Sequence, residues 1–207
     1  VCQIQYLSCQ KTCAGASPFV ENVTRFTAMD YAIVKRDAVL LRMLERYGYF
    51  SQYMRVRVKK NLGFSKAWVP KWVAVIPRYG CPLRPQQQSR RLLFIYNDAR
   101  SFDPLCKMYL DGSVISQVIG DNGEVQAMLV RPITIIHCFN VNVTGLHQSH
   151  IQPKGVATSK STQGQWIINF RAQQTSGDQV SVFIEAVNAR TGVPVVAIEG
   201  GQMKEDD

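Results

Sequence analysis

Arg55-Val56-Arg57-Val58-Lys59 alternates cation and valine, and that alternation decides the fold class. Successive side chains on a strand point to opposite faces, so the valines share a buried side and the three cations the other. Lys60-Asn61-Leu62-Gly63-Phe64-Ser65-Lys66 then reads as a turn. A second strand is predicted at residues 71–76, a polar Pro/Gln loop at 82–89, a third strand at 91–96 and a fourth at 105–110, closed by Asp111-Gly112. Further strands are predicted at 113–119, 124–130, 133–143 and 165–171. Asn122-Gly123 gives a two-residue hairpin signal. Residues 144–164 are rich in Ser, Gln, Gly and Lys and read as a mobile loop.

Helices flank this β-rich body. On the N-terminal side Ser17 and Pro18 suit an N-cap and a first helical position. Ile33, Leu40, Leu44 and Tyr47 then recur as one apolar helix face. Gly48 is the expected stop, with Arg42 and Arg46 near the negative end of the helix dipole. After the strands, Val180, Phe183, Ile184 and Val187 stand at i, i+3, i+4 and i+7, with Ser176 and Asp178 supplying the cap and first turn. Many consecutive strands followed by one amphipathic helix suggest a strongly bent sheet whose open end that helix plugs.

Four short motifs in this order resemble the pleckstrin-homology (PH) superfamily. Gly48-Tyr49-Phe50 looks like its opening GYL, and Trp68-Val69-Pro70-Lys71-Trp72-Val73-Ala74-Val75 like its second strand. Cys138-Phe139-Asn140-Val141 is similar to its late FxI strand, and Phe183-Ile184-Glu185-Ala186-Val187 to its closing helix. The resemblance implies a mainly β fold, a partly open seven-stranded barrel capped by a C-terminal α-helix and here preceded by an N-terminal helix. It divides the chain into an N-terminal segment (1–16), a helical extension (17–47), a PH-like domain (48–190) and a C-terminal tail (191–207). It also implies recruitment to phosphoinositide membranes or to protein partners. At the family's three lipid-binding positions this chain carries Gln52, Val69 and Lys71, so one cation is retained and recognition by total charge is expected.

The charge pattern points the same way. No acid occurs in residues 46–97, which hold eleven Lys and Arg, while the whole chain is +9. Such a field attracts phosphate-rich partners. The expected lipid-binding residues are Arg55, Arg57, Lys59, Lys60, Lys66 and Lys71, with Leu62 and Phe64 entering the membrane interface at the tip of the turn. The predicted function is a non-enzymatic peripheral membrane adaptor, cytoplasmic, binding anionic phospholipid or phosphoinositide headgroups. The alternative is an interaction scaffold that has lost specific lipid binding and takes protein through the N-terminal helix or the barrel edge. Nucleic acid is disfavoured because RNA-binding signatures are absent.

No catalytic fingerprint, cofactor motif or metal-ligand spacing is found. His137 and Cys138 read as core residues of an apolar strand. The six cysteines form no CxxC pair and are read as free thiols, with acylation of Cys2, Cys9 or Cys13 left open.

Overall fold

The Arg-Val alternation is a strand: β1, Phe50–Lys59, buries Met54 and Val56 completely and keeps Arg55 and Arg57 half-buried on the other face. It belongs to a computed structural model that describes residues 17–59, 66–83, 89–120, 122–132, 159–160, 165–173 and 178–190. The other strands are β2 (Lys66–Arg78), β3 (Arg90–Tyr96), β4 (Pro104–Tyr109), β5 (Val114–Ile119), β6 (Val125–Pro132), β7 (Ser159–Lys160) and β8 (Gln165–Arg171). Three helices lie among the described residues, α1 (Ala28–Val34), α2 (Ala38–Glu45) and α3 (Asp178–Asn188). The fold is mainly β with flanking helices.

All strand pairings are antiparallel and follow the path β4-β3-β2-β1-β8-β6-β5, with β7 added on β8. β4 and β5 end the path and do not pair with each other, so the sheet is not closed. One apolar cluster nevertheless joins Met108 of β4 to Ile115 of β5 through Val73, Val56, Phe170 and Leu129. A sheet that brings both ends of its path into one core must bend around it. Helix α3 fills this core with Val180, Phe183 and Val187; the Phe183 ring lies 5.2 Å from that of Phe50 and 4.7 Å from that of Phe170.

The 13-residue length of β2 exceeds the stretch expected from sequence, because Pro70 and Pro77 lie inside it. Each sits where β2 has one neighbour. Pro70 pairs across to Arg55 beyond the last β3 partner, and Pro77 pairs across to Arg91 beyond the last β1 partner. A proline that donates no hydrogen bond is tolerated there. The β5–β6 connection is wider than the expected two-residue hairpin, since Gly120 and Glu124 still pair and Gly123 takes a left-handed φ of 76°. Residues 159 and 160, expected in a loop, are β7.

The expected single helix in residues 17–47 is two short ones. Ser17 opens a turn formed by Pro18 and Phe19, and Val20 makes a parallel bridge to Tyr79. The first helix is started instead by a capping box of Thr27 and Asp30. Arg36 then takes a φ of 56° and breaks the run, and Asp37 caps α2 by accepting from the Leu40 amide at 2.9 Å. The break lets both helices lie on one surface. Phe19, Met29, Ala32, Leu41 and Leu44 form a second core with Ala74, Ile76, Leu92, Phe94 and Tyr96 from the outer face of β2 and β3. Tyr47, expected on the apolar face, is 65% exposed. Gly48 follows α2 so close to β2 that a Cβ would stand 2.8 Å from Ile76.

The turn at 60–65 with Lys60, Leu62 and Phe64, the strand at 133–143, Ser176, and the segments 1–16 and 191–207 lie outside the described residues.

Candidate functional site

Strand register assembles the site. Opposite the core face, β1 presents Tyr53, Arg55 and Arg57, and β2 presents their cross-strand partners Trp72, Pro70 and Trp68. At the near end of this face the Tyr53 and Trp72 rings meet edge to face at 5.1 Å. The prefix covers them, with Trp72 Nε1 donating to Glu45 of α2 at 2.8 Å. At the far end no described helix lies over Arg55, Arg57 and Trp68. Strand β8 brings Arg171 directly opposite Arg55.

Two guanidinium groups approach the Trp68 ring, that of Arg171 at 4.5 Å from its centre and that of Arg57 at 6.0 Å. Both distances allow a cation–π attraction. Glu124 accepts from Arg171 and from Gln126, each at 3.0 Å. Together with the β5–β6 turn these side chains line an open cleft of about 430 Å³. Arg55 faces Arg171 without a described carboxylate in ion-pair range, and its Nε is buried with no hydrogen-bond partner among the described residues. Like charges directly across a strand pair repel. The face therefore carries positive potential that its one carboxylate offsets only in part.

Of the lipid-binding residues expected from sequence, the structure brings Arg55 and Arg57 together. Lys59 and Lys66 are paired in register farther along the same hairpin, and Lys60, Leu62 and Phe64 lie outside the described residues. Lys71 stands apart. It alternates onto the core side of β2, is 9% exposed, and donates through Nζ to Asn97 at 2.6 Å. Burial lowers its pKa, opposed by the nearby charge of Asp98.

The acid-free window is also less bare in space than in sequence. Arg78 pairs with Glu21 at 2.5 Å and Asp30 at 3.0 Å, and Arg91 donates to the Val187 carbonyl. Arg90 stands 3.8 Å from Asp111. Arg171, Glu124, Gln126 and the outward role of Trp68 were not foreseen. The apolar alternation of Ile168 and Phe170 does set Arg171 on the outer face. Its place beside Arg55 depends on pairing two strands far apart in sequence.

Among the described residues Cys81 and Cys106 are free and buried, and no group of three or more His, Cys, Asp or Glu converges. No helix among them is long and apolar enough to cross a membrane. No protein-family model matches the chain, and neither a curated protein nor a solved structure matches it.

Proposed function

We propose that the chain is a non-enzymatic peripheral membrane adaptor of PH-like fold, cytoplasmic, whose β1–β2 hairpin meets anionic headgroups. The fold reading is supported by the strand path, in which four consecutive strands form a meander, the last long strand returns beside the first, and a C-terminal helix fills the shared core. The functional reading is carried by one observation: Arg55, Arg57 and Arg171 share one sheet face around Trp68, over which no described helix lies. Each cation near an anionic surface contributes about 1 kcal/mol, so the three, less the charge of Glu124 paired with Arg171, supply roughly 2 kcal/mol, a partition factor of about 30. In sequence Lys59, Lys60 and Lys66 add to the positive charge of this stretch, and Leu62 and Phe64 between them are the proposed shallow anchors. With Lys71 engaged by Asn97, attraction depends on charge spread along the hairpin more than on phosphoinositide stereochemistry.

Cosedimentation of the chain with neutral and anionic vesicles at two salt concentrations tests this. Binding should require anionic lipid and weaken with salt. Replacing Arg55, Arg57, Lys59 and Lys60 with glutamine should remove most of it. Strong preference for one phosphoinositide isomer over others of equal charge would reject the charge mechanism.

One observation favours a scaffold as the second reading. Helix α2 exposes Val39 and Met43, and Tyr47 just beyond it, an apolar stripe suited to protein contact. Retention of the fold with no binding to any anionic vesicle would promote it.

A further inference from the structure

The cleft beside Trp68 has a charge arrangement beyond mere positivity. Two guanidinium groups, Arg57 and Arg171, stand with one carboxylate, Glu124, and two amides, Gln126 and Asn122, around one aromatic ring. A simple anion site gains nothing from the carboxylate, which would repel the ligand and compete for Arg171. A ligand carrying two anionic groups and one cation fits it, because every charge then finds its opposite. We propose that this cleft is a phosphoserine headgroup site, in which Arg57 and Arg171 take the phosphate and carboxylate of the headgroup and Glu124 takes its ammonium. The inference rests on the membrane reading and deepens it, naming which headgroup the hairpin face selects.

The free protein supplies the stand-ins. The Arg171 guanidinium occupies both the cation place over the Trp68 ring, at 4.5 Å, and the partner place of Glu124, at 3.0 Å. Binding exchanges the one Arg171–Glu124 ion pair for three, and leaves none of Arg57, Arg171 and Glu124 without a counter-charge. Gln126 donates to the same Oε1 of Glu124 that Arg171 does, at 3.0 Å, which keeps that oxygen anchored while its charged partner changes. The volume of about 430 Å³ lies within the range of small-ligand clefts. Arg55, directly across from Arg171, adds long-range attraction without lining the cleft. Phosphatidylglycerol has the same net charge as phosphatidylserine but no ammonium, so it offers Glu124 no ion pair.

The test compares the full chain on phosphatidylcholine vesicles containing equal mole fractions of phosphatidylserine or phosphatidylglycerol, with soluble glycerophosphoserine as a separate arm. Phosphatidylserine should bind about fivefold tighter, the factor one half-exposed ion pair supplies. Glu124→Gln should erase that preference, and Arg57→Gln should weaken binding to both lipids. Circular dichroism of each variant separates these effects from misfolding. Because Glu124 also pairs with Arg171, wild-type competition by glycerophosphoserine, but not glycerophosphoglycerol, provides a readout free of any substitution. Equal binding to the two vesicle types overturns the headgroup inference and leaves the charge reading standing. Loss of all vesicle binding rejects the membrane reading; saturable glycerophosphoserine binding that shifts the Trp68 indole resonance would still support the cleft, with the free ester as its source. Failure in both arms overturns it.

Discussion

Asp30 ties three parts of the chain together with one carboxylate. It completes the capping box of α1 with Thr27, pairs with Arg78 of β2 at 3.0 Å and with Lys107 of β4 at 3.3 Å. Burial alone would raise its pKa, but Lys107, Arg78 and the hydrogen bonds to Thr27 together outweigh burial and hold it below the ordinary value of 3.8. The unfolded chain then takes up the proton first as pH falls. Stability from this site is present above 3.8 and is lost as pH drops through the lower folded value. Asp30→Asn should cost about 3 kcal/mol at neutral pH, because it strips a partly buried network of its carboxylate. It should also flatten the acid limb of stability in denaturant titrations run across pH, and an unchanged limb would assign that limb to other carboxylates. Glu45 has the opposite sign. Burial raises it above its ordinary 4.5 against the pull of Arg42, so its contribution falls as pH rises through that window. The cap of Thr27 and Asp30 is a local Thr-x-x-acid signal, but the helix start expected at Ser17 and Pro18 missed it. Its partners Arg78 and Lys107 were not legible in sequence, because they arrive from other strands.

At the scale of elements, legibility followed locality. β1 and β8 follow from period two, β3 from a short continuous apolar run and α3 from the i, i+3, i+4, i+7 stripe, patterns complete within one segment. The prefix misleads because Ile33 and Leu40 keep helical spacing across the break at Arg36, a left-handed residue that no glycine marks. β3 carries a second message, since Leu92, Leu93, Phe94, Ile95 and Tyr96 are all buried. A continuous apolar run requires cover on both faces. One face meets the core filled by α3; the other meets α1 and α2. Two cores sharing one strand should unfold together. Phe183→Ala in the first should cost about 4 kcal/mol and Leu41→Ala in the second about 3 kcal/mol, both from cavities. Each should shift one common transition, whether followed by far-ultraviolet circular dichroism or by tryptophan emission. A Leu41→Ala protein whose prefix melts separately, before the sheet, would make residues 17–47 an independent unit.

For the whole molecule, the prefix covers one half of the outer β1–β2 face and, among the described residues, no helix covers the basic half, which sets how the protein would lie on a surface. A chain of net charge +9 is attracted to an anionic bilayer as a whole, but orientation comes from where cations lack partners. Glu21, Asp30 and Asp111 draw Arg78 and Arg90 into pairs away from the hairpin, whereas Arg55 and Arg57 have no such described partner. The proposed docked state therefore brings Trp68 to the headgroups and holds Trp72, covered by Glu45, away from them. The chain has three tryptophans, Trp68, Trp72 and Trp166, so each can be made the sole emitter by Trp→Phe replacement of the other two. With Trp68 alone, anionic vesicles should shift emission to the blue, and lipids brominated near the headgroup should quench it; with Trp72 alone, neither should occur. Raising salt from 0.1 to 1 M shortens the Debye length from about 10 to about 3 Å and should abolish the Trp68 response. A salt-insensitive response would assign contact to apolar insertion, and a larger response at Trp72 than at Trp68 would place the membrane against the prefix side instead, because a docked hairpin cannot bring the covered half closer than the open one.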